Sequence, residues 1–113
     1  FIIEDDPEML DWIKEYLIRA GHVIVGEETT RDGAIEATTR FEKMGVQVAI
    51  IDGNLTADDA SGYDGQVILE AVRDNAPKVI TVGMSGSEKG VPGTDLNLGK
   101  DRMRELGTEV TKL

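Results

Sequence analysis

Val46-Gln47-Val48-Ala49-Ile50-Ile51-Asp52-Gly53-Asn54 is an apolar run that stops abruptly at a carboxylate and a glycine. A run this short, rich in β-branched residues and closed by turn formers, predicts a strand buried on both faces. Strands of that kind build parallel sheets, whose ligand crevices open just past the carboxyl ends of the strands. Asp52 falls at that rim. A lone carboxylate there serves equally as a cap for the following segment or as part of a site.

The segments before this strand repeat the pattern. Phe1-Ile2-Ile3 reads as the end of a first buried strand, with Glu4-Asp5-Asp6 at its carboxyl edge. Pro7 suits the first turn of a helix, where its missing N–H costs nothing. Met9, Trp12, Ile13, Tyr16 and Leu17 then form an apolar stripe at helical spacing, which places Trp12 in the core. Gly21 ends that helix and His22-Val23-Ile24-Val25 reads as strand two, with His22 structural. Thr29 to Asp32 offer caps for a second helix, with Ala34, Ala37, Phe41 and Met44 as its stripe and Gly45 as its stop.

Past Asp52 the chain runs through a long polar loop, Gly53 to Gly65, holding Asp58, Asp59 and Asp64. A third helix over Gln66 to Asn75 buries Ile68, Leu69 and Val72 and stops before Pro77. Lys78 to Met84 is the fourth strand, closed by Ser85-Gly86-Ser87. The tail admits two parses. In the preferred one Thr94 or Asp95 caps a fourth helix, Gly107 stops it, and Thr108 to Leu113 is strand five. The other makes Asp95 to Leu98 the strand and Lys100 to Leu113 a closing helix. That helix carries Gly107 internally, at a cost of about 1 kcal/mol against Ala, plus β-branched Thr108, Val110 and Thr111.

Strands alternating with helices mean a parallel sheet wrapped on both faces through right-handed crossovers. The predicted class is α/β, a flavodoxin-like doubly wound five-stranded sheet in the order 2-1-3-4-5, with residues 1–113 as one domain. The chain opens at Phe1 inside an apolar run and this parse leaves no fifth helix, so residues are expected before Phe1 and after Leu113.

Composition narrows the function. Twelve Lys and Arg against 22 Asp and Glu give a net charge of −10, which opposes direct gripping of nucleic acid and suits a basic partner or a bound cation. There is no cysteine, hence no disulfide or thiolate metal site, and a reducing, cytoplasmic compartment fits. No apolar run approaches the roughly 20 residues that span a bilayer.

In the 2-1-3-4-5 order strands one and three are neighbours, so Glu4, Asp5 and Asp52 converge at one rim. Three carboxylates so close repel one another, and a hard divalent cation with oxygen ligands, Mg²⁺, relieves the repulsion. Ser85 ends strand four with a hydroxyl and Lys112 ends strand five with an ammonium. Around one crevice, that set suits a phosphoryl group. Under the other parse the lysine is Lys100.

Ile3-Glu4-Asp5-Asp6-Pro7, Ile50-Ile51-Asp52, Met84-Ser85-Gly86 and Val110-Thr111-Lys112, taken in order, resemble the four stations of response-regulator receiver domains of the CheY-like superfamily, the switches of two-component signalling. The resemblance implies that Asp52 accepts a phosphoryl group from a histidine kinase or phosphotransfer protein in an Mg²⁺-dependent reaction. It implies that Asp5 binds Mg²⁺ directly, Glu4 through water and Asn54 through its carbonyl, while Ser85 and Lys112 contact the phosphoryl oxygens. Such a domain is mainly a switch, with its own phosphorylation and slow dephosphorylation activity. It reports to an effector domain or downstream protein, with a homodimer on phosphorylation and no membrane partner. Glu109, three positions before Lys112, stands where many receivers carry a switching aromatic. A haloacid-dehalogenase-type phosphoaspartyl enzyme requires Asp at position 54, which is Asn. A phosphorylation-independent pseudo-receiver, acting as an interaction module, is the alternative.

Overall fold

The computed structural model describes residues 1–53, 63–85 and 91–113. Five parallel strands form one sheet in the order β2-β1-β3-β4-β5: β1 Ile2–Ile3, β2 Glu27–Glu28, β3 Val48–Asp52, β4 Ile80–Ser85 and β5 Leu96–Gly99. This is the flavodoxin-like arrangement. The helices are α1 Pro7–Arg19, α2 Arg31–Thr38, α3 Phe41–Met44, α4 Tyr63–Asn75 and α5 Leu106–Thr111, and a 3-10 segment, Lys100–Glu105, leads into the last.

Two apolar clusters sandwich the sheet, and adjacent strand residues divide between them. Ile2 and Ile50 join Leu10, Ile13 and Leu17 of α1 and Leu106 and Val110 of α5. Ile3 and Ile51 join Ala34 and Ala37 of α2 and Ile68, Leu69 and Val72 of α4. That alternation is the period of two that an extended backbone imposes, and two covered faces explain the unbroken apolar runs. Each fully buried Ile or Leu contributes about 1.5–3 kcal/mol relative to exposure.

The local signals act where they stand. Asp6 caps α1, its carboxylate accepting from the N–H groups of Glu8 at 2.9 Å and Met9 at 3.4 Å, with Pro7 at the first helical position. The Thr30 hydroxyl caps α2 by accepting from Gly33 N at 3.0 Å. Gly21 and Gly45 take φ of +90° and +74° at helix ends, the left-handed region that favours glycine.

Several expectations need correction. The second strand lies at Glu27–Glu28 rather than His22 to Val25, because the ladder to β1 begins beyond that segment and leaves Val23 exposed. Trp12 is 45% exposed and stacks on Tyr16; the buried stripe of α1 runs through Leu10, Ile13 and Leu17 instead. The helix after the Asp52 loop starts at Tyr63, three residues earlier than predicted, so Asp64 and Gly65 belong to its first turn.

The tail takes the second of the two parses. Strand five is Leu96–Gly99, and residues 106–111 are helical, so a closing helix is present rather than missing. Residues 91–95 between β4 and β5 form turns and not the start of a helix. Gly107 is tolerated inside α5 because α5 runs against α1: a Cβ there would lie 2.7 Å from both Tyr16 O and Ala20 Cβ. A residue that reads as a helix stop is thus a helix-to-helix contact.

Candidate functional site

The register of the parallel ladders assembles the site. Ile3 is level with Ile51, so Glu4 emerges beside Asp52. Asp52 is level with Met84, which puts Ser85 one residue further along the same rim. Ser85 is level with Gly99, and Lys100 follows at once. Four consecutive strands in space thereby deliver two carboxylates, a hydroxyl and an ammonium to one end of the sheet, and Asp5 stands next to Glu4.

Glu4, Asp5 and Asp52 each offer a carboxylate oxygen, and these oxygens lie within 4.8 Å of one another. Glu4 and Asp52 are buried and Asp5 is exposed. Lys100 Nζ lies 3.0 Å from Glu4 Oε1 and 3.4 Å from Asp52 Oδ1. Asp6 N–H donates to Glu4 Oε2 at 3.4 Å. Ser85 is buried at the end of β4.

Lys112, the lysine of the preferred parse, is not at this rim. It follows the last turn of α5, its side chain is 67% exposed, and its ammonium pairs with Glu109 at 3.4 Å. Lys100 takes its place because strand five ends at Gly99. The correction also shifts the position three residues before the lysine from Glu109 to Asn97, again not an aromatic. Asn54, Gly86 and Ser87 lie outside the described residues, as do Asp58 and Asp59.

Charge and burial set the electrostatics. Burial alone would raise the Glu4 carboxyl, but hydrogen bonding with Asp52 and the Lys100 ammonium outweigh it and hold Glu4 below the ordinary carboxylate value. Asp5 is pushed up, first by desolvation and then by the neighbouring Glu4 carboxyl. Desolvation would depress Lys100; the negative charges of Asp52 and Glu4 exceed that effect and raise it.

The residues present fit a hard divalent cation. All three ligand groups are carboxylates, and Glu4 Oε1, fully buried, has no hydrogen-bond partner among the described residues beyond its ion pair with Lys100. A cleft of about 220 Å³ adjoins Lys100, lined by Met9, Trp12, Tyr16 and Met103 among others. A larger cleft, of about 740 Å³, opens beside His22, Gln47 and Lys78 at the amino ends of β3 and β4, the opposite end of the sheet from the carboxylates. Size does not mark the chemistry here.

Packing around Asp52 is tight. A Cβ on Gly53 would lie 3.2 Å from Ser85 Oγ and 3.5 Å from Val91 Cγ2, and one on Gly65 would lie 3.0 Å from Gly53 Cα. The backbone just after Asp52 lies between the first turn of α4 and the side chains of Ser85 and Val91. Sequence reading missed Val91 in this role, since it belongs to no motif.

The fold is a flavodoxin-like doubly wound sheet of five parallel strands. The RcsB response regulator of Salmonella typhimurium, a structure described for conformational dynamism in DNA interaction, superposes with a TM-score of 0.76 at 18% identity. The match covers 97% of this chain and 56% of that one. No family model matches the sequence, and no curated protein matches it. No helix among the described residues is long and apolar enough to cross a membrane.

Proposed function

We propose that the chain is a receiver domain of two-component signalling whose phosphoacceptor is Asp52. The observation that carries this reading is the Lys100 ammonium set 3.0 Å from Glu4 and 3.4 Å from Asp52, beside Asp5 and one strand from Ser85. A carboxylate flanked by further carboxylates, a cation and a hydroxyl suits phosphoryl chemistry better than a structural cap.

Asp5, Glu4 and Asp52 would hold Mg²⁺, which when bound offsets the charge of the transferring phosphoryl group. An Asp52 carboxylate oxygen attacks the phosphorus of a phosphohistidine donor. The O–P bond forms as the P–N bond breaks, and the imidazole nitrogen keeps the electron pair and takes up a proton. Lys100 offsets part of the rim's negative charge and would contact the new phosphoryl oxygens, while the Ser85 hydroxyl would donate to one of them. The acyl phosphate biases the strand-end loops toward a second arrangement, which an effector domain or downstream protein reads.

The partners are a histidine kinase or phosphotransfer protein and an effector, in the cytoplasm, with a phosphorylation-dependent homodimer as an output form. A net charge of −10 opposes direct contact of this domain with DNA.

The test is intact mass after incubation with Mg²⁺ and acetyl phosphate, beside an Asp52→Asn control. One phosphate on the parent and none on the control is the expected result. A folded, Mg²⁺-binding parent that gains no phosphate overturns the reading in favour of a pseudo-receiver.

A further inference from the structure

Arg31 and Asp64 hold the first turns of two helices together behind the acidic rim. Asp64, in the first turn of α4, is 1% exposed, and a carboxylate so buried is costly unless paired. Arg31, the first residue of α2, pairs with it: Arg31 Nη1 donates to Asp64 Oδ1 at 3.2 Å. Arg31 Nε also lies 3.6 Å from Asp32 Oδ1, so the half-exposed guanidinium is held on two sides.

Each end of that ion pair is fastened to one of the rim acids. On the α4 side the next residue is Gly65, whose N–H donates to Gly53 O at 3.2 Å. A Cβ on Gly65 would lie 3.0 Å from Gly53 Cα and 3.3 Å from Asp52 O, so α4 abuts the backbone that carries Asp52. On the α2 side β2 ends at Glu28, whose carbonyl accepts from Glu4 N–H at 3.1 Å. The Glu28 carboxylate lies over the first turn of α2, where a Cβ on Gly33 would stand 2.5 Å from Glu28 Oε2. The contacts run in a circuit from Glu4 through Glu28, Arg31, Asp64 and Gly65 to Asp52, and the ladder between β1 and β3 closes it.

We propose that Arg31 is a positioning residue for the acidic rim: through Asp64 it holds the first turn of α4 against Gly53 and so fixes where Asp52 stands relative to Glu4 and Asp5. This rests on the reading of Asp52 as a phosphoacceptor beside a Mg²⁺ site. Without the pair the start of α4 draws back and the Gly65–Gly53 hydrogen bond lengthens. The three carboxylate oxygens, within 4.8 Å of one another, then no longer close on one cation. Mg²⁺ tolerates little of that, because its octahedral shell is rigid. Charge alone predicts the opposite sign, since removing a cation near an acidic site strengthens the binding of another cation. The direction of the effect therefore separates positioning from electrostatics.

The test is titration calorimetry of Mg²⁺ into the folded chain, with circular dichroism recording the fold and intact mass recording phosphate uptake from acetyl phosphate. Arg31→Gln is expected to weaken Mg²⁺ binding about tenfold, the lower end of what supporting residues around a metal contribute. Asp64→Asn is expected to do the same, and Arg31→Lys, which keeps the ion pair, to bind with close to the parent's affinity. A folded Arg31→Gln that binds Mg²⁺ as tightly as the parent, or more tightly, overturns the proposal whatever its stability. Weakening in Arg31→Gln without weakening in Asp64→Asn overturns the route through α4. Should Arg31→Gln fail to fold, Asp64→Asn decides by the same comparison. A parent that binds Mg²⁺ but gains no phosphate overturns the phosphoacceptor reading, and the Mg²⁺ affinities still decide for or against Arg31. A parent that binds no Mg²⁺ overturns both.

Discussion

Lys100 Nζ stands 3.0 Å from Oε1 of Glu4, a carboxylate with no solvent exposure, and the same ammonium reaches Asp52 at 3.4 Å. One cation thus pairs with two buried acids, at the ends of neighbouring strands. Removing one partner of a buried pair leaves the other charged and desolvated, which costs about 3 kcal/mol. Lys100→Met should lower unfolding stability in urea by about that amount. Lys112→Met, which loses only an exposed pair with Glu109, should stay within about 0.5 kcal/mol of the parent. Equal losses in the two variants would remove Lys100 from its central place.

The same groups set the pH dependence. Glu4 is held below its ordinary 4.5, so its contribution to stability is present above that value and is lost as pH falls through the lower folded-state value. Lys100 is raised above 10.5, so its contribution is present below that value and is lost as pH climbs through the folded-state value. Denaturant midpoints measured across pH should therefore fall at both the acid and the alkaline end, and Lys100→Met should abolish the part of the alkaline fall that Lys100 causes. An alkaline limb identical in the parent and the variant would refute this.

The sheet order and the carboxylate rim were legible because each apolar run ends on a polar residue that marks the strand end: Glu4 and Asp5 after Ile3, Asp52 after Ile51, Ser85 after Met84. Periodicity and turn residues are local signals, and the parallel order turns them into neighbours. The lysine was misplaced because Gly107, Thr108, Val110 and Thr111 have local preferences that oppose a helix. The approach of α5 to Tyr16 and Ala20, a tertiary contact no local window contains, overrides those preferences. Trp12 failed for a related reason. Its spacing fits the apolar stripe of α1, but the buried face is centred on Leu10, Ile13 and Leu17, which leaves the indole to stack on Tyr16.

Gly107→Ala tests that explanation of the tail. Helix propensity alone favours Ala by about 1 kcal/mol. Against it, the new methyl would meet a backbone oxygen and a short Ala side chain, both at 2.7 Å, and neither can swing aside. Overpacking of this kind costs about 1–3 kcal/mol. The variant should unfold at lower urea than the parent; a stabilised Gly107→Ala would mean that α5 does not lie so close to α1.

Asp5 separates the cost of the acidic rim from its use. Its carboxyl is raised above the ordinary 3.8 by desolvation and by Glu4, so near neutral pH its charge opposes folding, and that opposition fades only as pH falls through the raised value. Asp5→Asn removes the charge but keeps the shape, and without divalent cations it should melt above the parent. Added Mg²⁺ should reverse the order. At a hundredfold excess over Kd a ligand bound only by the folded state stabilises the parent by about 2.7 kcal/mol, and the variant, lacking one of the three carboxylates, should gain far less. Thermal melts with and without Mg²⁺, using Ca²⁺-free buffers and an EDTA baseline, read both effects. A variant that melts below the parent without cations would show that Asp5 is not strained by its neighbours. Equal Mg²⁺ shifts in the two proteins would show that Asp5 holds no cation.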